Sequence, residues 1–140
     1  MNDQETCRRV WPEWKVPLVS HGLPYYEACA KHAKELKVSH VYIVVSKSLA
    51  GSGDHLQNLT MAVGENNIAG IREGMKPHTM YSEVIEIAKD LKELRVDCLI
   101  TLGGGSLIDG GKGAILVRFC VLSRCKQCFN CNNPRLSQMM

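Results

Sequence analysis

The sequence predicts an α/β domain with a mainly parallel sheet flanked by helices, and three observations carry that expectation. Val41-Tyr42-Ile43-Val44-Val45 is an unbroken apolar run of strand length, the pattern of a parallel strand buried on both faces. Stretches with helical periodicity alternate with such runs, as they do when strands are joined by crossover helices. A second apolar run, Val96-Asp97-Cys98-Leu99-Ile100, leads straight into Thr101-Leu102-Gly103-Gly104-Gly105-Ser106-Leu107-Ile108-Asp109-Gly110-Gly111-Lys112, a glycine turn opening a helix.

In chain order, Cys7–Pro17 carries Trp11, Pro12, Trp14 and Pro17 and reads as an irregular arm. A short edge strand near Val16–Ser20 follows. Pro24 suits the first turn of a helix, where its missing N–H costs nothing. On that helix Tyr26, Cys29, Ala30, Ala33 and Leu36 repeat at 3.6-residue spacing, while Glu27–Lys31 and Lys31–Glu35 pair on the wet face. After the Val41–Val45 strand, Ser46–Gly53 reads as a loop. The helix beyond it places Leu56, Leu59, Thr60 and Val63 on one side, with Ser52 or Asp54 as cap and Gly64 as its end. Asn67–Ile71 is expected to be a short strand. A helix over about Thr79–Leu94 aligns Val84, Ile87, Ala88, Leu91 and Leu94. The second buried strand, Cys98–Leu102, then delivers the glycine turn. Gly113–Val117 can continue the last helix, although Gly110, Gly111 and Gly113 each cost about 1 kcal/mol there relative to alanine. Beyond Phe119 neither period survives, so the expected organisation is one α/β domain over 1–118 and an irregular Cys-rich tail over 119–140.

The glycine turn carries the chemistry. Glycines between a strand and a helix let backbone N–H groups approach a ligand with no Cβ in the way. The first helical turn adds unpaired N–H donors and the positive end of the helix dipole, which together favour a phosphate. Counting excludes the two common phosphate motifs. A P-loop needs glycine at 106 and Ser or Thr at 113, where this chain has Ser106 and Gly113. The pattern G-x-G-x-x-G from Gly103 needs glycine at 108, which is Ile108.

What remains, GGGSxxDxxK, resembles the fingerprint of the iron-containing alcohol dehydrogenases, a family related to glycerol dehydrogenase. Gly74-Met75-Lys76-Pro77-His78-Thr79 and Ser20-His21-Gly22-Leu23-Pro24 also resemble that family, closest to its maleylacetate-reductase-like branch, over roughly residues 15–112. The resemblance implies a Rossmann-like sheet and metal-dependent hydride transfer between an alcohol or carbonyl substrate and NAD or NADP. It also implies that the chain stops before the family's all-helical metal-binding domain, where one Asp and three His hold iron or zinc. Gly104, Gly105 and Ser106 are the expected pyrophosphate contacts, and Asp109, one turn on, is expected to order the cofactor region. Ser46 ends the first buried strand, where NAD-using relatives carry an acid that bonds the ribose hydroxyls. A serine does not repel a 2′-phosphate, and Lys47 beside it attracts one, which tilts the expectation toward NADP.

No catalytic or metal-binding residue is expected in this chain. His21, His32, His40, His55 and His78 all precede the glycine motif, and none has H-x-x-x-H spacing. Cys120, Cys125, Cys128 and Cys131 supply four thiols, enough for zinc or a cluster, but they lack the separated CxxC pairs of zinc sites. Resemblance ending near Lys112 makes a frameshifted or intron-derived tail with adventitious cysteines the simpler account. A non-catalytic dinucleotide- or partner-binding module, or a small Cys-tail metal protein, are the alternatives.

Composition sets the outer bounds. The chain has 140 residues, is 45 % hydrophobic and 22 % charged, and carries a net charge of +3, too little to argue for nucleic acid. Residues 113–140 hold Arg118, Arg124, Lys126 and Arg135 with no acid, so the body before them is near neutral. There is no secretory leader pattern and no apolar run of the ~20 residues that span a bilayer. Seven cysteines without such a leader point to reduced thiols in the cytoplasm. Cys29 and Cys98 are expected to be small buried hydrophobes. Exposed apolar surface would allow a homo-oligomer.

Overall fold

The computed structural model describes residues 4–122. An antiparallel hairpin of β1 (Thr6–Arg9) and β2 (Leu18–His21) precedes α1 (Tyr25–Glu35). Then follow β3 (Val41–Val45), α2 (Lys47–Gly51), α3 (His55–Val63), β4 (Ile68–Glu73), α4 (Tyr81–Glu93), β5 (Cys98–Leu102) and α5 (Gly105–Val117). The expected α/β class holds. A parallel three-stranded sheet, ordered β4-β3-β5, is flanked by helices on both sides.

β3 organises the core. All five of its residues are buried, and their alternation divides them between two layers. Tyr42 and Val44 pack with Val84, Ile87, Ala88 and Leu91 of α4 and with Leu107 and Ala114 of α5. Val41, Ile43 and Val45 pack with Leu59 and Val63 of α3 and with Tyr25, Tyr26 and Cys29 of α1. Tyr42 keeps its hydroxyl satisfied by donating to Asp90 on α4 at 2.6 Å. Burial and that carboxylate push the phenol's pKa upward. A register shift between Val41 and Tyr42 puts Gly70 opposite the Tyr42 ring, where a Cβ would stand 2.8 Å from Cε2.

Several expectations change. The arm before residue 17 contains β1, whose residues are all exposed. Its pairing with β2 leaves no hydrophobic pattern to see, and β2 itself starts at Leu18. Ser46–Gly53 includes the one-turn α2, capped by Ser46, whose Oγ accepts from Leu49 N. Neither proposed cap of α3 bonds its first turn: Ser52 Oγ donates to the Ser48 carbonyl, and Asp54 occupies the N-cap position without a side-chain bond. Leu36 lies past the end of α1 and is 71 % exposed, so it is not a core residue. Leu94 is likewise exposed, past the end of α4. That helix cannot begin at Thr79, because His78 and Thr79 take left-handed φ values of 68° and 47°. β5 is half-buried, not fully buried, because it is an edge of the described sheet. Cys29 and Cys98 are half-buried too. Arg118–Leu122 continue α5 as a π-helical turn. Cys125, Cys128 and Cys131 lie outside the described residues.

The N-terminal hairpin is tied to α1 through Glu5. Its side chain is 4 % exposed, and its carboxylate accepts from Ser20 Oγ, Lys31 Nζ and, at 2.6 Å, His32 Nε2. The Lys31 bond, helped by Ser20 and His32, holds this carboxyl down at about 2. The unfolded group titrates near ~4.3, so the bond's contribution is complete above that pH and is lost as pH falls through about 2. Thermal unfolding of the parent should therefore soften across that acidic window, and Glu5→Gln should remove this part of the pH dependence. Parallel pH profiles for the two proteins would show that the ion pair does not anchor the hairpin.

Candidate functional site

The sheet order sets the location of the site. From β3 the chain moves to β4 on one side and then crosses to β5 on the other, so connections diverge between β3 and β5. The carboxyl ends at such a switch point form the ligand crevice of open α/β sheets. Ser46 leaves β3 and Gly103 leaves β5 at this point, joined by a 3.0 Å bond from Ser46 N to the Leu102 carbonyl. A Cβ on Gly103 would stand 3.1 Å from Ser46 Cβ, so the bare α-carbon lets the two strand ends close.

Next comes the helix start. Gly104 is the N-cap of α5 and offers no side-chain cap. Its carbonyl accepts from Leu107 N at 3.1 Å and Ile108 N at 3.2 Å. The N–H groups of Gly105 and Ser106 have no backbone acceptor among the described residues. Within 4 Å of a Cβ placed on Gly104 or Gly105 there is nothing. Free donors and open space thus coincide, and that space fits a phosphate group. The first turn of α5 contains no acidic residue to compete for it.

An open cleft of about 240 Å³ runs along these residues, lined by Ser46, Lys47, Gly74, Met75 and Gly104–Leu107. Sites that enclose a whole ligand usually measure ~300–1,000 Å³, so this cleft is smaller than a site that encloses its ligand. Of the expected site residues, Ser46, Gly104, Gly105 and Ser106 come together here. Asp109 does not line the cleft; it is exposed one turn along α5.

Gly74 and Met75 are cleft residues that sequence reasoning did not single out as site residues, although they open the Gly74–Thr79 motif. Gly74 has φ 81°, and its N–H extends the sheet by donating to the Val45 carbonyl at 2.6 Å. The Met75 thioether sits against Gly110 in space that any larger residue would fill. Thr79 Oγ1 donates to the Ser106 carbonyl at 3.2 Å. The 74–79 loop is therefore bound to the first turns of α5. Gly111 lies over Thr101 and Leu99 of β5, a Cβ there coming within 2.7 Å of Thr101 Cγ2. The helix-weakening glycines at 110 and 111 are sites of close approach.

A family model for iron-containing alcohol dehydrogenases matches residues 19–126. The chain belongs to that family. Dehydrogenase FUM7 of Gibberella moniliformis is 43 % identical over 101 residues, covering 72 % of this chain and 24 % of the relative. Dehydrogenase ALT3 of Alternaria alternata is 40 % identical over 75 residues, covering 54 % of this chain and 19 % of the relative. Among solved structures, maleylacetate reductase from Agrobacterium tumefaciens matches with a TM-score of 0.56 at 23 % identity, over 65 % of this chain and 25 % of that one. That last likeness is one of fold. The chain spans about a quarter or less of the length of these proteins. The family match runs beyond Lys112 and takes in Cys120 and Cys125, so resemblance does not stop at the glycine motif as expected.

The family is named for its iron. Among the described residues no group of three or more His, Cys, Asp or Glu side chains is arranged to hold a metal ion. No helix among them is long and apolar enough to cross a membrane.

Proposed function

We propose that this chain supplies the NAD(P)-binding part of an iron-type alcohol dehydrogenase, whose complete form carries out metal-dependent hydride transfer between an alcohol or carbonyl substrate and the nicotinamide. The observation that carries this reading is the coincidence of free N–H donors at Gly105 and Ser106 with open space over Gly104 and Gly105, at the sheet's switch point. Family membership supports it independently. The pyrophosphate would rest on the Gly104–Ser106 turn, with the Ser106 hydroxyl as a further donor. The adenosine ribose would lie toward Ser46. A serine there leaves room for a 2′-phosphate and Lys47 adds a positive charge on the cleft wall, so NADP is the favoured cofactor. Asp109, exposed and outside the lining, would act on the bound cofactor only through the helix start, as a charge that steadies it.

The 140 residues by themselves would bind and not catalyse. The test is titration of the whole chain with NADP and NAD by calorimetry or ligand-detected NMR. Turnover would be assayed in parallel with iron or zinc, a panel of small alcohols, and maleylacetate. Saturable, weak binding without turnover is expected, because an open cleft collects only part of the ligand's contact energy. Absence of binding by either dinucleotide would refute the cradle. Metal-dependent turnover above background would refute the division of labour.

A further inference from the structure

We propose that Gly74 is a positioning residue for Lys47, and that the pair sets a preference for a dinucleotide bearing a 2′-phosphate. This rests on the NAD(P)-binding reading above and adds to it the device that aims the charge. A Cβ built on Gly74 would stand 2.6 Å from Lys47 Cγ, 3.1 Å from Cδ and 2.9 Å from Cε. Three consecutive methylenes of the lysine stem therefore lie flat across the bare α-carbon of Gly74. Contact at Cγ matters most, because an atom so near the backbone moves only if the side chain changes rotamer.

The seat is tied to the sheet. Gly74 is held by its bond to the Val45 carbonyl and by a left-handed φ of 81° that favours glycine. Lys47 follows directly on Ser46 at the end of β3, so its stem runs from the end of one strand over the end of the next. Both residues line the cleft with the Gly104–Ser106 turn. Lys47 forms no ion pair among the described residues, which leaves its ammonium available to an anion. A long, exposed lysine ordinarily loses rotamer freedom when it binds. Here the stem is already laid down, so a phosphate on the ribose side meets a charge held in place.

Two variants of the full chain separate the charge from its seat. Lys47→Met keeps the stem and deletes the ammonium. Gly74→Ala keeps the ammonium and evicts the stem. Each is titrated with NADP and NAD, at low and at moderate ionic strength, with circular dichroism to confirm the fold. The parent should favour NADP over NAD by about tenfold, and both variants should bring that ratio to about one. The parent's preference should also shrink with added salt, more steeply than the residual preference of Lys47→Met. A parent that binds both dinucleotides equally, or a Lys47→Met that keeps the preference, overturns the proposal while leaving the cradle intact. A Gly74→Ala variant that loses NAD and NADP affinity in parallel overturns the positioning role. Failure of the parent to bind either dinucleotide is the distinct result that removes the cradle reading, and this inference with it.

Discussion

Replacing Gly105 by valine should abolish measurable dinucleotide binding and leave the fold intact. The exposed α-carbon of Gly105 faces space with nothing inside 4 Å of a built Cβ, so the added side chain meets no protein atom there at its first carbon. It also needs no unusual backbone, because Gly105 is absent from the positive-φ residues. The cost falls on the ligand: isopropyl carbons would stand where a phosphate oxygen must come within ~2.9 Å of an N–H. A loss of more than about tenfold in affinity, or over about 1.4 kcal/mol, is expected in calorimetric or NMR titrations, with an unchanged far-ultraviolet spectrum. Equal binding by parent and variant would place the phosphate elsewhere.

The largest effect on stability is expected at Ile43. This side chain is at the middle of the central strand, 0 % exposed, within the layer formed by α1 and α3. Ile43→Ala removes three carbons from a site walled by strand neighbours and two helices, which leaves little room for collapse. Such truncations cost about 2–5 kcal/mol, set against the ~5–15 kcal/mol that separates folded from unfolded domains. A clear drop in the urea midpoint at constant slope is the expected result. A shift of only a few tenths of a kcal/mol would mean that this layer is not tightly packed.

Much of this organisation is legible in the sequence because it rests on local pattern. The unbroken apolar run at 41–45 announces a central strand, and the periodicity of 81–93 announces a helix. The expectation that Ser46 and Gly103 share a crevice follows from the rule about strand ends, and the structure brings them to adjacent positions. What escapes is non-local. Thr6–Arg9 is exposed and becomes a strand only through its pairing with Leu18–His21. The contributions of Gly74 and Met75 depend on β4 lying beside β3 and on a notch at Gly110, neither of which leaves a periodic trace. Asp109 shows the converse: a position inside a recognisable motif that the helix turns away from the cleft.

The half-buried state of β5 has a colloidal consequence. Both β4 and β5 are outer strands of the described sheet, but their free rims differ. β4 carries Arg72 and Glu73, whereas Cys98-Leu99-Ile100-Thr101-Leu102 has no charged residue at all. Charges on a rim discourage a stray strand from adding to it, and an uncharged, largely apolar rim invites one. In a concentrated solution of this chain β5, rather than β4, is therefore the edge at which pairing between copies is expected first.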